Sequence, residues 1–242
     1  SLLGSKERAD ELKRRLVQLF PALKTLPPHK QRNHYFNAPK DLSVVERAIA
    51  PLYPSKEKRA ELSRIISGAT GEVSIRTREA DDKVFFILKA SIGDDSSANG
   101  VSRIEFESVI APASGERDCG TTNAAHANED KIRRPKTLEE LDQIILDAGL
   151  TFQAKWSRAR EHFDLGSIHI TVDKNAGYGY LAEFEKLIDN GREAEYAKQE
   201  LKALMATLGC QELPQDRLER MFKFYNEHWR EYYGTERTFT IE

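Results

Sequence analysis

Val73-Ser74-Ile75-Arg76-Thr77-Arg78 decides how the rest of the chain is read. Val73, Ile75 and Thr77 fall on one side of an extended chain and Ser74, Arg76 and Arg78 on the other, because successive side chains of a strand point to opposite faces. The same alternation returns three times. Arg103, Glu105 and Glu107 oppose Ile104 and Phe106. His169, Thr171 and Asp173 oppose Ile168, Ile170 and Val172. Glu183 and Glu185 oppose Tyr180, Ala182 and Phe184. These periods predict strands over 72–78, 83–90, 101–111, 152–162, 167–174 and 179–187, with a further short strand at 33–37.

Outside this block the apolar spacing is helical. Residues 5–20 read as a helix capped by Ser5, with Leu12, Leu16, Leu19 and Phe20 as its apolar stripe and Pro21 as its stop. Helices are predicted at 41–53 and 55–67, parted by Pro51 and Pro54 and closed by Gly68 and Gly71. A helix over 137–149 opens at Thr137 with Glu140 three residues on and ends at Gly149. Helices over 191–208 and 214–233 follow, the second with Leu218, Met221, Phe222, Tyr225 and Trp229 at core spacing. Residues 112–130, small and polar, read as a mobile loop, and 237–242 as a strand-like tail. Strands in the middle with helices around them give the α+β class. The chain is expected to form a single domain over 1–242, with inserted helices at 41–67 and a C-terminal helical extension at 191–236.

Composition narrows the function. Among 242 residues, 37 Lys+Arg face 39 Asp+Glu, for a net charge of −2. That balance argues against holding long nucleic acid through a broad positive field, but it leaves room for a local basic pocket. No run approaches the roughly 18 apolar residues of a membrane-spanning helix, and no secretory leader is visible. Cys119 and Cys210 are too few and too separated for a disulfide framework or a cysteine zinc site. The six histidines lack zinc spacing, and only His169, inside a strand, stands out. A cytoplasmic setting is the expectation.

The charges are also sorted by sign. Arg76, Arg78, Lys89 and Arg103 come early, whereas Asp173, Glu183 and Glu185 come late. An antiparallel sheet with one wet face alternates in the same way, so alternation alone is compatible with a merely solvated surface. The preference for arginine and paired carboxylates points further. If the sheet closes into a barrel with its apolar faces outward, the charged faces line a lumen. Like charges held that close call for ligands of opposite sign: a polyanion for the cations and a divalent ion for the carboxylates.

In order, the chain carries Asn33-His34-Tyr35-Phe36-Asn37, Ser74-Ile75-Arg76-Thr77-Arg78, Phe86-Ile87-Leu88-Lys89 and Arg103-Ile104-Glu105-Phe106-Glu107. Lys155, Arg158-Ala159-Arg160, His169-Ile170-Thr171-Val172-Asp173 and Glu183-Phe184-Glu185 follow. This series resembles the CYTH superfamily, the triphosphate tunnel metalloenzymes, which includes class IV adenylyl cyclases, thiamine triphosphatases and inorganic triphosphatases. The resemblance covers about residues 31–190 and implies a closed antiparallel β-barrel with flanking helices. It implies that Arg76, Arg78, Lys89, Arg103, Arg158 and Arg160 bind phosphate, a task that suits guanidinium forks. It further implies that Glu105, Glu107, Asp173, Glu183 and Glu185 hold Mg²⁺ or Mn²⁺, hard cations that take oxygen ligands. Glu105, Glu107 and Lys89 become the catalytic candidates.

Two departures stand out. The family's Glu-x-Glu-x-Lys strand, which precedes a helix like 5–20, is absent, and it is expected just upstream of Ser1. Alternatives are a diverged binding protein, or a tail (Thr238 to Glu242) that fills the vacant strand position. Asn37 stands where the family has Asp, retaining only hydrogen-bonding capacity. Other residues read as structural. Tyr35, Phe36, Trp156, Phe163 and Tyr178 are expected in the core, and Lys186, Lys13–Arg15 and 131–134 on solvated surfaces. The expected activity is metal-dependent hydrolysis of a small triphosphate such as tripolyphosphate, thiamine triphosphate or a nucleoside triphosphate. Cyclic AMP formation and non-catalytic polyphosphate or nucleotide binding are the alternatives. The expected partners are that small molecule and a second copy of the chain as a homodimer, with no membrane and no long nucleic acid.

Overall fold

The structure, a computed structural model, describes residues 1–91, 103–111, 134–188 and 193–241. The strands are β1 (Leu2–Gly4), β2 (Lys24–Phe36), β3 (Val73–Ala80), β4 (Lys83–Ser91), β5 (Arg103–Ala111), β6 (Phe152–Leu165), β7 (Ile168–Asn175) and β8 (Gly179–Lys186). The helices are α1 (Lys6–Leu19), α2 (Ser43–Ile49), α3 (Lys56–Gly68), α4 (Leu138–Asp147), α5 (Ala194–Thr207) and α6 (Gln215–Tyr232), with a short 3₁₀ turn at Ala50–Leu52. The eight strands follow the order β1-β8-β7-β6-β2-β3-β4-β5. The pairings β1–β8, β8–β7, β7–β6, β3–β4 and β4–β5 are all antiparallel. The α+β class and the antiparallel sheet agree with expectation, whereas closure into a barrel goes beyond this order. The loop expected at 112–130 lies outside the described residues.

The chain divides into two compact units. The first comprises, among the described residues, 1–32, 154–188 and 193–241. Here α1 starts where the Ser5 hydroxyl accepts the Arg8 N–H, and it ends one residue before Phe20 because a residue ahead of proline is driven out of the helical region. Its Ala9, Leu12 and Leu16 pack with Phe163, Ile170, Val172 and Ala182 of the sheet and Leu208 beyond α5. Leu19, expected in that stripe, is exposed instead. A second cluster stacks Trp156 on Tyr178 (4.6 Å) and sets it at a tilt against Tyr225 (4.2 Å), with Met221 and Tyr232 beside them. Trp156, Phe163 and Tyr178 therefore do pack with core residues, while Phe222 of α6 is exposed.

The turn from β7 to β8 lies against this aromatic layer. Gly177 adopts φ +81°, and a Cβ there would stand 2.7 Å from the Tyr225 ring, so only glycine satisfies both backbone and packing. Phe239 donates its N–H to the Gly177 carbonyl (2.8 Å), and Thr238 makes a single parallel bridge to Gly177. The tail thus forms a bridge, not a strand. It is β1, too short to stand out in the sequence, that lies beside β8.

The second unit comprises, among the described residues, 33–91, 103–111 and 134–153. Its core gathers Phe36, Val45, Ile49, Leu62, Ile65, Ile75, Phe86, Leu88, Phe106, Leu138, Leu141 and Ile145, from α2, α3, α4 and the apolar face of β3, β4 and β5. Thr137 caps α4 by accepting the Glu140 N–H (3.1 Å), and the Glu140 carboxylate accepts the Lys136 N–H (2.6 Å), a capping box displaced by one residue. β3 and β4 are joined through Asp81 and Asp82, both at positive φ, as a tight two-residue hairpin requires.

β2 extends well ahead of the expected 33–37. Its first half contains Pro27-Pro28, which reads as a loop because proline cannot donate to a sheet. Those residues are exposed and extended, a conformation that proline's fixed φ permits.

Candidate functional site

In the second unit, sheet register places the charged residues side by side. β3 against β4 sets Ser74 opposite Lys89 and Arg76 opposite Ile87, and β4 against β5 sets Lys89 opposite Glu105 and Ile87 opposite Glu107. The apolar side of the same strands is the core described above, so the alternation read from the sequence is the face assignment in the fold. Lys89 Nζ lies 2.9 Å from Glu105, and Arg78 Nη1 lies 3.2 Å from both oxygens of Glu107. Arg103 opens β5 opposite Ser91, and its side chain lies outside the described residues.

Two residues of β2 complete the cluster. Arg76 Nη1 donates to the Tyr35 hydroxyl (2.7 Å), with its guanidinium 5.5 Å from the centre of that ring. Arg78 Nε donates to the Asn33 side-chain oxygen (2.9 Å). Both arginine side chains are only 11% exposed. Burial opposes the charge of Arg76, but Tyr35, Glu105 and Glu107 outweigh it and raise its pKa above the ordinary arginine value. Arg76 Nε is buried with no hydrogen-bond partner. An unmet buried donor costs about 1–3 kcal/mol, more when charged, and an anion oxygen would satisfy it. Three cations against two carboxylates leave this cluster at +1.

Tyr35 was expected in the core and instead lies in the site. The readable signal was parity, since Asn33 and Tyr35 alternate with the buried His34 and Phe36. Phe36 is core as expected. Asn37, with its side-chain amide on Thr151 Oγ1 (2.9 Å), hydrogen-bonds in place of a carboxylate.

The first unit holds the other candidates. Register pairs Arg160 with Asp173, and Thr171 with Glu183. Arg160 grips Asp173 with two parallel bonds, Nε to Oδ1 at 2.7 Å and Nη2 to Oδ2 at 2.5 Å, and reaches Glu183 at 2.7 Å. Arg158 donates to the Gln31 side-chain oxygen (2.8 Å) and to Asp173 (3.1 Å). The Asp173 side chain is 1% exposed. Burial works against the Arg160 charge, but its bonds to Asp173 and the nearby Glu183 raise its pKa. Two cations against two carboxylates make this cluster neutral. Glu185 is exposed opposite His169, whose Nδ1 lies 2.6 Å from Asp164. Lys186, expected on a solvated face, is ion-paired with Glu200 of α5, and Lys13 with Glu161.

The five carboxylates are of the hard-oxygen kind that Mg²⁺ or Mn²⁺ takes. Among the described residues no three Asp, Glu, His or Cys side chains converge, and Glu105, Glu107, Asp173 and Glu183 each lie against a cation. Among the described residues no helix is long and apolar enough to cross a membrane.

No family model matches the sequence, and no curated protein matches it. Solved structures do. The chain is similar to the PH1012 protein of Pyrococcus horikoshii at 14% identity, over 84% of this chain and 85% of that one, with a TM-score of 0.52. It is similar to the PH1819 protein of the same organism at 16% identity, over 85% and 88%, with a TM-score of 0.51. It is also similar to HpAC1 from Hippeastrum, a protein described with a dominant triphosphatase activity, at 13% identity over 90% and 91%, with a TM-score of 0.44. At these identities the likeness to the two Pyrococcus horikoshii proteins is one of fold.

Proposed function

We propose that the chain binds and hydrolyses a small triphosphate-bearing molecule at the Arg76, Arg78 and Lys89 cluster. The observation that carries this reading is the buried, unpartnered Nε of Arg76 within a cluster of net positive charge. Arg76 and Arg78 are aimed by the neutral oxygens of Tyr35 and Asn33, while the carboxylates paired with Arg78 and Lys89 are exposed. A polyphosphate would take Arg76 Nε and displace the exposed Glu105 and Glu107 from the cations. One of the released carboxylates would accept the proton of a water attacking the terminal phosphorus, while the bridging P–O bond breaks and its electron pair leaves with the shortened phosphate chain. Arginine and lysine meanwhile offset the charge on the phosphoryl oxygens. In this reading Mg²⁺ or Mn²⁺ accompanies the polyphosphate, and Glu105 and Glu107 offer the oxygen donors that such an ion would take.

The second reading is binding without turnover, favoured by the fact that both carboxylates are held by cations as they stand. One experiment separates the two. The chain is incubated with tripolyphosphate, thiamine triphosphate or ATP, with and without Mg²⁺ or Mn²⁺, and both phosphate and cyclic nucleotide are measured. Phosphate release supports hydrolysis, and cyclic AMP from ATP replaces it with the cyclase chemistry. Tight tripolyphosphate binding with neither product leaves the binding module.

A further inference from the structure

We propose that Asp142 of α4 is a positioning residue for Arg76 and Arg78, acting through the opposite face of the sheet. The apolar stripe of α4 runs Leu138, Leu141, Ile145, and Asp142 sits within it, 3% exposed. A buried carboxylate is costly unless its oxygens are paired, and an apolar side chain would continue the stripe. Both oxygens are used. Oδ2 lies 2.5 Å from His34 Nδ1, and Oδ1 accepts the Thr77 hydroxyl at 2.6 Å. Thr77 and His34 are themselves almost fully buried.

The positions of these two partners give the carboxylate its role. Thr77 lies between Arg76 and Arg78 on β3, and His34 lies between Asn33 and Tyr35 on β2. Neighbours in a strand point to opposite faces. One carboxylate therefore ties the two strands together from behind at the residues that separate the two front pairs, Arg76 with Tyr35 and Arg78 with Asn33. The three links match 76 with 35, 77 with 34 and 78 with 33, a consistent antiparallel register. A slip or splay of β2 against β3 would part each arginine from the oxygen that aims it. Loss of the Asp142 link thus loosens the arginines without touching them.

This inference rests on the proposed phosphate site for its consequence, but not for its geometry, and its test separates the two. The full chain is prepared as Thr77→Val, Thr77→Ser and Asp142→Asn, with Ile145→Val as a control that weakens the same helix without touching the clamp. The side-chain Nε–H resonances of Arg76 and Arg78 are recorded, together with melting temperature and tripolyphosphate affinity by calorimetry. Thr77→Val and Asp142→Asn are expected to shift or broaden the Arg78 Nε–H signal and weaken tripolyphosphate binding about tenfold or more, the scale of one well-placed polar contact. Thr77→Ser, which keeps the hydroxyl, and Ile145→Val are expected to retain both signal and affinity within about twofold. The proposal is overturned if Thr77→Val and Asp142→Asn melt lower than the parent yet keep its Arg78 signal. A parent chain that binds no tripolyphosphate would sink the phosphate site, while the arginine signals would still decide the clamp.

Discussion

The two units each carry a pair of arginines two residues apart on a strand, and they hold those pairs in opposite ways. Arg158 and Arg160 converge on Asp173, a carboxylate withdrawn from solvent, and with Glu183 on Arg160 the charges cancel. Arg76 and Arg78 lean on a phenol and an amide, keep their carboxylates at the exposed margin, and leave one guanidinium N–H unmet. A bidentate pair with a buried partner is a strong structural joint but has little left to offer a ligand. A pair aimed by neutral oxygens, with its carboxylates at the exposed margin, can exchange them for a ligand's oxygens. The sequence motif, Arg-x-Arg, is the same in both. What it can do depends on the strand beside it.

The largest expected effect tests the structural half of that contrast. Arg160→Ala strands Asp173 in the interior with one of its two partners gone, and removing one side of a buried pair costs about 3–5 kcal/mol. Denaturant unfolding should show that loss, while the folded fraction binds tripolyphosphate as the parent does. Equal stability would mean that Asp173 is less buried than the structure has it.

The functional half is broken by Arg76→Ala with Arg78→Ala. Charge-assisted hydrogen bonds contribute about 1.5–3 kcal/mol each, so the tripolyphosphate affinity of the folded fraction should fall by two orders of magnitude or more. Unchanged affinity would show that these side chains serve the sheet and not a ligand. Tyr35→Phe is a finer probe. It removes only the oxygen that aims Arg76, a neutral hydrogen bond of about 1 kcal/mol, and should weaken binding severalfold in calorimetry. An affinity equal to the parent's would mean that the ring alone positions the guanidinium.

The smallest effect concerns pH in the first unit. Burial, with Arg160 and His29 close by, lowers the His162 pKa below its ordinary value. The folded state therefore prefers the neutral ring, and its contribution is full above the unfolded pKa of about 6.5 and is lost as the pH falls below it. Melting curves from pH 7.5 to 5.5 should drop less for His162→Gln than for the parent. Parallel curves would show that the ring is not held neutral.

Much of this contrast was legible before the fold. β3, β4, β5, β7 and β8 follow from period two, and the charged face follows from parity, which the registers reproduce residue for residue. The failures have physical causes. Pro27-Pro28 hid the first half of β2, because proline's missing N–H signals a loop even where the backbone is extended. β1 has three residues, too few to show any period. Tyr35 was assigned to the core by its apolar bulk, although its parity with Asn33 placed it among the polar partners. Asp142 was visible as a charge inside an apolar stripe, but the strands it joins lie 65 and 108 residues away in sequence. Nor could spacing reveal which arginine pair would be neutralised, since that depends on the register that brings Asp173 and Glu183 onto Arg160.

The most direct measurement follows the arginine Nε–H resonances of the whole chain as tripolyphosphate is added. The account predicts that the Arg76 signal moves most, because its donor has no acceptor until the anion arrives, that Arg78 moves with it, and that Arg160 stays in place on Asp173. Movement of Arg158 and Arg160 with Arg76 and Arg78 unchanged would contradict it.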